Sequence, residues 1–237
     1  MNFIGLSGLP RTGSTALSSI LSQNPNIHSE GNSAVCQLMW DMHKSCEDSE
    51  QLKANKRCND QDALVSSIPK IYYRDVEAEY VVDKCRSWTL YLNTEMIKRY
   101  ITKNPKIIVM TRPINEILDS VLRVYEGNNV VVDKDELFER LLKPKSEPLM
   151  RSLDGVEFAR KNNNGEFLFI EYHDLVSSPE DIVESIYSFC DIEPFQHDFD
   201  NIVNKHPEDD SFYGLKNIHS VQKSMTSRKQ NYVDHRL

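Results

Sequence analysis

Paired cysteines are missing from this chain. Its five (Cys36, Cys46, Cys58, Cys85 and Cys190) are odd in number and irregularly spaced. That pattern carries no disulfide framework, and reduced thiols in a cytosol-like compartment are expected. His43 with Cys36, Cys46 and Cys58 lacks the paired C-x-x-C spacing of a zinc site, so no metal is expected. Long apolar runs are missing too, and none reaches the length of a membrane span. The N-terminus has no basic stretch of the kind that opens a secretory signal. A cytoplasmic protein without a membrane partner is the expectation. Positive charge is in the minority: 28 Lys+Arg against 36 Asp+Glu leave a net charge of −8. This argues against nucleic acid as a bulk partner while leaving room for a local basic pocket around a phosphorylated ligand. No internal repeat or low-complexity tract is present. What is there, 237 residues with 39% hydrophobic and 27% charged side chains, suits one domain with a sizeable core.

The most informative stretch follows the apolar run Phe3-Ile4-Gly5-Leu6. Gly8-Leu9-Pro10-Arg11-Thr12-Gly13-Ser14-Thr15 has the G-x-x-x-x-G frame of a phosphate-binding loop, with Ser14 where a nucleotide triphosphatase carries its lysine. The glycines let backbone N–H groups close around an anion, and a helix starting near Gly13 adds its positive end. Without the lysine, the loop suits one terminal phosphate, with Arg11 as a planar two-pronged donor nearby.

Strand and helix patterns alternate along the chain. Asn2 to Leu6, Tyr80 to Lys84, Lys106 to Met110 and Phe167 to Ile170 read as strands. Ser14 to Leu21, Ser33 to Lys44, Trp88 to Ile101 and the stretch opened by Pro113 read as helices. In the last of these Ile117, Leu118, Val121 and Leu122 point inward. Ser178-Pro179 caps a further helix carrying Ile182, Val183, Ile186 and Phe189. The polar stretch from Ser45 to Gln61 reads as a surface helix or loop. This order predicts an α/β fold, a P-loop-like parallel sheet with helices on both faces. It forms a single domain over 1–237, with a helical insertion over 127–164 and a polar, basic, flexible tail over 225–237. Ligands in such sheets sit at the carboxyl ends of the strands. That gathers the Arg11 loop, Asp83-Lys84, Thr111-Arg112 and Glu171-Tyr172 around one crevice. Arg112 stands where a triphosphatase places its magnesium-binding aspartate, and there it repels a metal and suits a phosphate. Ser120, about two turns into the next helix, can join it.

With these residues on view, the chain resembles the sulfotransferases that use 3′-phosphoadenosine-5′-phosphosulfate (PAPS). Pro10-Arg11-Thr12-Gly13-Ser14-Thr15 resembles that family's 5′-phosphosulfate loop. Val109-Met110-Thr111-Arg112-Pro113 with Ser120 resembles its 3′-phosphate motif. Phe169-Ile170-Glu171-Tyr172-His173-Asp174-Leu175 is similar to its tyrosine-bearing strand end beside the adenine. The flavour is nearest to tyrosylprotein sulfotransferases and related bacterial enzymes. There Asn24 to Glu30 matches a segment ending in the catalytic glutamate, and Val82-Asp83-Lys84 one carrying a lysine near the sulfuryl group. Related enzymes often read Gly-Glu where this chain reads Glu30-Gly31. The family's C-terminal closing loop is matched loosely at Tyr213 to Ser220, which makes His219, Ser220 and Lys223 candidates.

The resemblance implies sulfuryl transfer from PAPS to an acceptor hydroxyl by in-line attack, without a metal. Glu30 is implied as general base, with His28 or His219 as alternatives. Lys84 and Arg11 are implied to neutralise charge on the sulfuryl group and leaving phosphate. Thr12, Gly13, Ser14 and Thr15 are implied to cradle the 5′-phosphate, Arg112 and Ser120 to grip the 3′-phosphate, and Tyr172 to pack near the adenine. The acceptor is a peptide tyrosine, a carbohydrate or a small molecule. Two other readings stay open: an atypical P-loop nucleotide kinase, opposed by the missing lysine, and a nucleotide-binding protein without turnover.

Overall fold

A computed structural model describes residues 1–225 of the chain. Its centre is a five-stranded, all-parallel sheet built from β1 (Asn2–Gly8), β2 (Ile27–Asn32), β3 (Tyr80–Lys84), β4 (Lys106–Thr111) and β5 (Phe167–Glu171), in the order β2-β3-β1-β4-β5. Ten helices occur among the described residues: α1 (Ser14–Leu21), α2 (Val35–Asp48), α3 (Glu50–Ala54), α4 (Asp60–Tyr72), α5 (Tyr91–Tyr100), α6 (Ile114–Gly127), α7 (Lys134–Leu142), α8 (Leu149–Lys161), α9 (Tyr172–Ser177) and α10 (Pro179–Cys190). Short 3₁₀ turns at Arg86–Thr89 and Asp210–Tyr213 complete it. None of the helices is long and apolar enough to cross a membrane, and all five cysteines are free thiols.

Strand alternation sends side chains to two separate cores. Phe3, Val81, Ile107, Val109 and Phe167 join one with Trp88 and the inner faces of α2 and α5 to α8. Ile4, Leu6, Val82, Ile108, Met110 and Ile170 join the other with α1, α9 and α10. Ile107, Ile108, Val109 and Met110 are all fully buried, as expected of a strand between two covered faces. The expected strands, and α1 at its expected ends, are thus present in a doubly covered parallel sheet.

Three local differences matter. The segment Ile27–Asn32, read only as a motif, is an edge strand in which Ile27, Ser29 and Gly31 turn inward while His28, Glu30 and Asn32 are half-buried. The helix expected from Trp88 begins three residues later, after the 3₁₀ turn that buries Trp88. Ser45 to Gln61 holds the short α3 and the start of α4. Within 127–164 the chain forms α7 and α8, whose Leu137, Leu141, Leu149 and Val156 pack into the first core. The flexible tail expected from 225 on falls outside the described residues except for Met225, which is buried with its N–H 2.9 Å from the Phe199 carbonyl.

The chain leaves the β3 side of β1 for the β4 side after α5, so β1 ends at a switch point of the topology. A crevice opens there, at the carboxyl ends of the strands. After α10 a strap of chain returns across this end. It is tied down by Lys205 Nζ to the Ser22 carbonyl at 2.6 Å, and by Asn128, which bonds the Lys216 N–H at 2.6 Å and its carbonyl at 3.0 Å.

Candidate active site

The loop after β1 forms the floor of the crevice. Gly8 sits at φ 122, and a Cβ there would lie 2.0 Å from the Met110 carbonyl oxygen, so the close passage of loop and β4 requires glycine. Thr12 is fully buried and donates its hydroxyl to the Leu9 carbonyl at 2.8 Å, which braces the loop from inside. Gly13, at φ 79, caps α1 and packs on the Tyr172 ring. Ser14 and Thr15 begin the helix and line the cavity, and the unpaired N–H groups of a helix start draw an anion.

Around this floor lies a cavity of about 640 Å³, within the usual range for a small-molecule site. Five cationic side chains line it (Arg11, Lys84, Arg86, Arg112 and Arg123), against the acidic Glu116 and Asp119. In a chain of net charge −8, that local excess of positive charge suits an anionic ligand. The two arginines singled out by sequence are interlocked. Arg11 Nε donates to Ser120 Oγ at 3.2 Å, and its Nη1 donates to the Ile218 carbonyl of the strap at 2.5 Å. Arg112 Nη1 donates to the Arg11 carbonyl at 3.0 Å, its Nε to Glu116 Oε2 at 2.9 Å, and its guanidinium lies 4.0 Å over the Tyr172 ring. Glu116 Oε1 meets His173 Nε2 at 3.0 Å. Such planar, multiply held guanidinium groups are pre-oriented for phosphate oxygens. Tyr172 is itself buried between Gly13 and Arg112.

At the other end of the cavity stands Lys84. Its Nζ donates to Thr15 Oγ1 at 3.0 Å and lies 3.4 Å from Glu208 Oε2 on the strap. Burial pushes the Lys84 ammonium below its ordinary pKa, and the Glu208 carboxylate opposes that shift without cancelling it. Burial acts on Glu208 in the upward direction, but Lys84, His219 and the hydrogen bonds of Tyr213 and Asn32 outweigh it and hold the carboxyl below its ordinary value. Asp83, grouped with Lys84 in the sequence, turns to the opposite face. There it is fully buried and accepts from Ser33 at 2.6 Å, Tyr73 at 2.8 Å and Trp88 at 2.7 Å.

The structure therefore brings Arg11, Thr12, Gly13, Ser14, Thr15, Lys84, Arg112, Ser120 and Tyr172 to one cavity wall. Glu30 is not part of that wall: its Oε2 pairs with His28 Nε2 at 3.2 Å, and Asn32, two residues on, is the β2 residue that reaches the cavity. From the strap, Ile218, His219 and Ser220 line the site whereas Lys223 does not. Sequence reasoning missed Glu116, Asp119 and Arg123, although with Ser120 they recur every three or four residues on the helix that follows Arg112. Arg86 and Asn32 carried no local signal.

A scan against protein families matches residues 4–197 to the sulfotransferase family. No curated protein sequence matches. Among solved structures, the chain is similar to the sulfotransferase domain of the Synechococcus PCC 7002 olefin synthase, at 17% identity over 98% of this chain and 88% of that one, with a TM-score of 0.57. It is also similar to a sulfotransferase from Alicyclobacillus acidocaldarius, at 16% identity over 83% of each chain and a TM-score of 0.57. A mouse sulfotransferase, SULT7A1, complexed with PAP is similar at 15% identity over 82% of this chain and 60% of that one, with a TM-score of 0.53. At these identities the likeness to solved structures is one of fold, and it agrees with a family match that covers most of the chain. The chain belongs to the sulfotransferase family.

Proposed function

We propose that this protein transfers a sulfuryl group from PAPS to an acceptor hydroxyl. The carrying observation is the cavity itself: a lysine-free phosphate loop, two interlocked arginines and a buried lysine converge on one anion site in an acidic chain. The residues fit a nucleotide with two separate phosphates. Arg112 and Ser120 at one end suit the 3′-phosphate, and the backbone N–H groups from Thr12 to Thr15 with Arg11 suit the 5′-phosphate. Tyr172, stacked under the Arg112 guanidinium and lining the cavity, suits a place near the adenine. The mouse relative's complex with PAP supports this donor class.

PAPS supplies the sulfuryl group and a good leaving phosphate. This chain's own residues position and neutralise. Lys84, beside Thr15, suits the charge that gathers on the sulfuryl oxygens and the bridging oxygen, and its burial strengthens that interaction. Arg11 adds a second positive charge and ties the loop to the strap. The acceptor oxygen attacks from the Lys84 end and gives its proton to a base on that side. The acceptor is a hydroxyl of a peptide tyrosine, a carbohydrate or a small molecule.

Calorimetry with PAP, and with ATP in the presence and absence of magnesium, tests the reading. Binding of PAP without magnesium is expected, weakened by Arg112→Ala about 10- to 150-fold for the loss of a charge-assisted contact. Preference for ATP with magnesium would favour the kinase reading and overturn this one.

A further inference from the structure

Three groups on the cavity wall can accept a proton from a hydroxyl: Glu116, Asp119 and His219. Glu116 is held between Arg112 and His173, and Asp119 precedes Ser120, the partner of Arg11, on α6. His219 lies at the Lys84 end, where its Nε2 is 3.3 Å from Nδ2 of Asn32, the residue paired with Lys84 in the sheet. Resting on the sulfotransferase reading above, we propose that His219 is the general base for the acceptor hydroxyl and that Asp210 is its positioning residue.

One carboxylate grips this histidine twice. Asp210 Oδ1 is 2.6 Å from His219 Nδ1, and Oδ2 accepts the His219 backbone N–H at 3.1 Å. With the ring proton on Nδ1 and directed at Asp210, Nε2 keeps its lone pair. The Asn32 amide supports that tautomer: Nδ2 is a donor, it also donates to Glu208 Oε1 at 2.9 Å, and it faces Nε2. The groups around the ring are Asp210, Glu208 (Oε2 at 3.6 Å from Nδ1) and the Tyr213 ring at 5.4 Å from the strap, and Asn32 from β2. Lys84 faces it through Glu208. Burial opposes ionisation of Asp210, but its bonds to His219 prevail and hold its carboxyl below the ordinary value, so it stays a proton acceptor for Nδ1.

β2 shows why the base comes from the strap. Glu30 is committed to His28 outside the cavity wall, and the strand residue that reaches the wall is a carboxamide, which cannot take a proton. Gly31 leaves the space that Glu208 fills, since a Cβ there would lie 2.3 Å from Glu208 Cγ. The strap is also bonded to the phosphate loop at the residue before the base, through Arg11 and the Ile218 carbonyl. Occupation of the loop and the position of His219 are thereby linked.

In the reaction, Nε2 takes the acceptor proton as the acceptor oxygen forms its bond to sulfur. The bond from sulfur to the 5′-phosphate oxygen breaks, and its electron pair stays on that oxygen. The imidazolium formed lies beside Asp210 and Glu208 and returns its proton to water once the products leave.

The test uses wild type, His219→Ala, Asp210→Asn and Glu30→Gln, each checked by calorimetry for PAP binding. Failure of the wild type to bind PAP counts against the sulfotransferase reading as a whole. Given binding, PAP release from PAPS is followed with 4-nitrophenol, tyrosine amide and water as acceptors. His219→Ala is expected to lower kcat about 10²- to 10⁴-fold, with PAP affinity kept and partial rescue by added imidazole. Asp210→Asn is expected to lower kcat with little change in KM and to alter the pH profile. Nitrogen-15 NMR of the histidine rings gives a reading independent of turnover: His219 protonated on Nδ1 alone in the wild type, with mixed tautomers in Asp210→Asn. A ring protonated on both nitrogens from neutral to mildly alkaline pH overturns the proposal. So does normal turnover in His219→Ala beside collapse in Glu30→Gln.

Discussion

Replacing Asp83 by leucine isolates the buried polar cluster that backs Lys84. The carboxylate accepts from Trp88 Nε1, Tyr73 Oη and Ser33 Oγ. Trp88 is fully buried and Tyr73 is 4% exposed, so neither donor can turn to water, whereas the half-buried Ser33 can. Two stranded donors cost about 1–3 kcal/mol each, or roughly 2–6 kcal/mol together. Relief of the buried charge offsets part of this, so the lower half of the range is expected. For a chain of this size about 2–4 kcal/mol lowers Tm by roughly 4–16 °C. Urea denaturation of wild type, Asp83→Leu and the double variant Asp83→Leu/Tyr73→Phe measures it. The double variant removes one stranded hydroxyl and recovers part of the loss. The effect also depends on pH. Burial raises the Asp83 carboxyl above its ordinary pKa, against the pull of its three donors. Through the window above that ordinary value the folded state keeps a proton the unfolded state has lost, so this group's contribution falls as pH rises. The gap between wild type and Asp83→Leu is therefore wider at acid than at neutral pH. A single variant within about 0.5 kcal/mol of wild type, or a double variant no better than the single, would refute the reasoning.

Gly8→Ala forces a Cβ against the Met110 carbonyl at a φ of 122. It is expected to cost more than about 3 kcal/mol, read by denaturation, and to abolish PAP binding; a stable variant that binds normally contradicts the packing described for the loop. The strap should loosen in acid. Glu208 and Asp210 both have lowered carboxyl pKa values in the folded state, so their contribution is complete above the ordinary values and is lost as pH falls through the lowered ones. Hydrogen exchange at the Gly214 and His219 amides should accelerate over that acid range while amides of β4 stay protected, and uniform behaviour across the molecule would refute it.

Much of the fold was legible because it is written locally. The run Ile107-Ile108-Val109-Met110 is apolar on both faces and could only be a covered strand, and β3 and α1 end where expected. β2 escaped notice because Ile27 is its one large apolar residue; serine and glycine fill its other inward positions, so its alternation carries almost no hydrophobic contrast. The neighbours Asp83 and Lys84 were read as one feature. Strand alternation separates them, sending one to a buried polar cluster and the other to the cavity.

By itself the sequence determined the glycine loop after β1, the arginine after the buried strand and the α/β class. These depend on spacing within one strand, turn or helix start, where glycine, apolar runs and caps act over a few residues. Tertiary structure decided which groups meet at the Lys84 end. Asn32, Lys84, Glu208 and His219 come from two strands and the returning strap, up to 187 residues apart. Their meeting depends on how the strap crosses the sheet and on the bonds that hold it there, and no local pattern records contacts made over such separations.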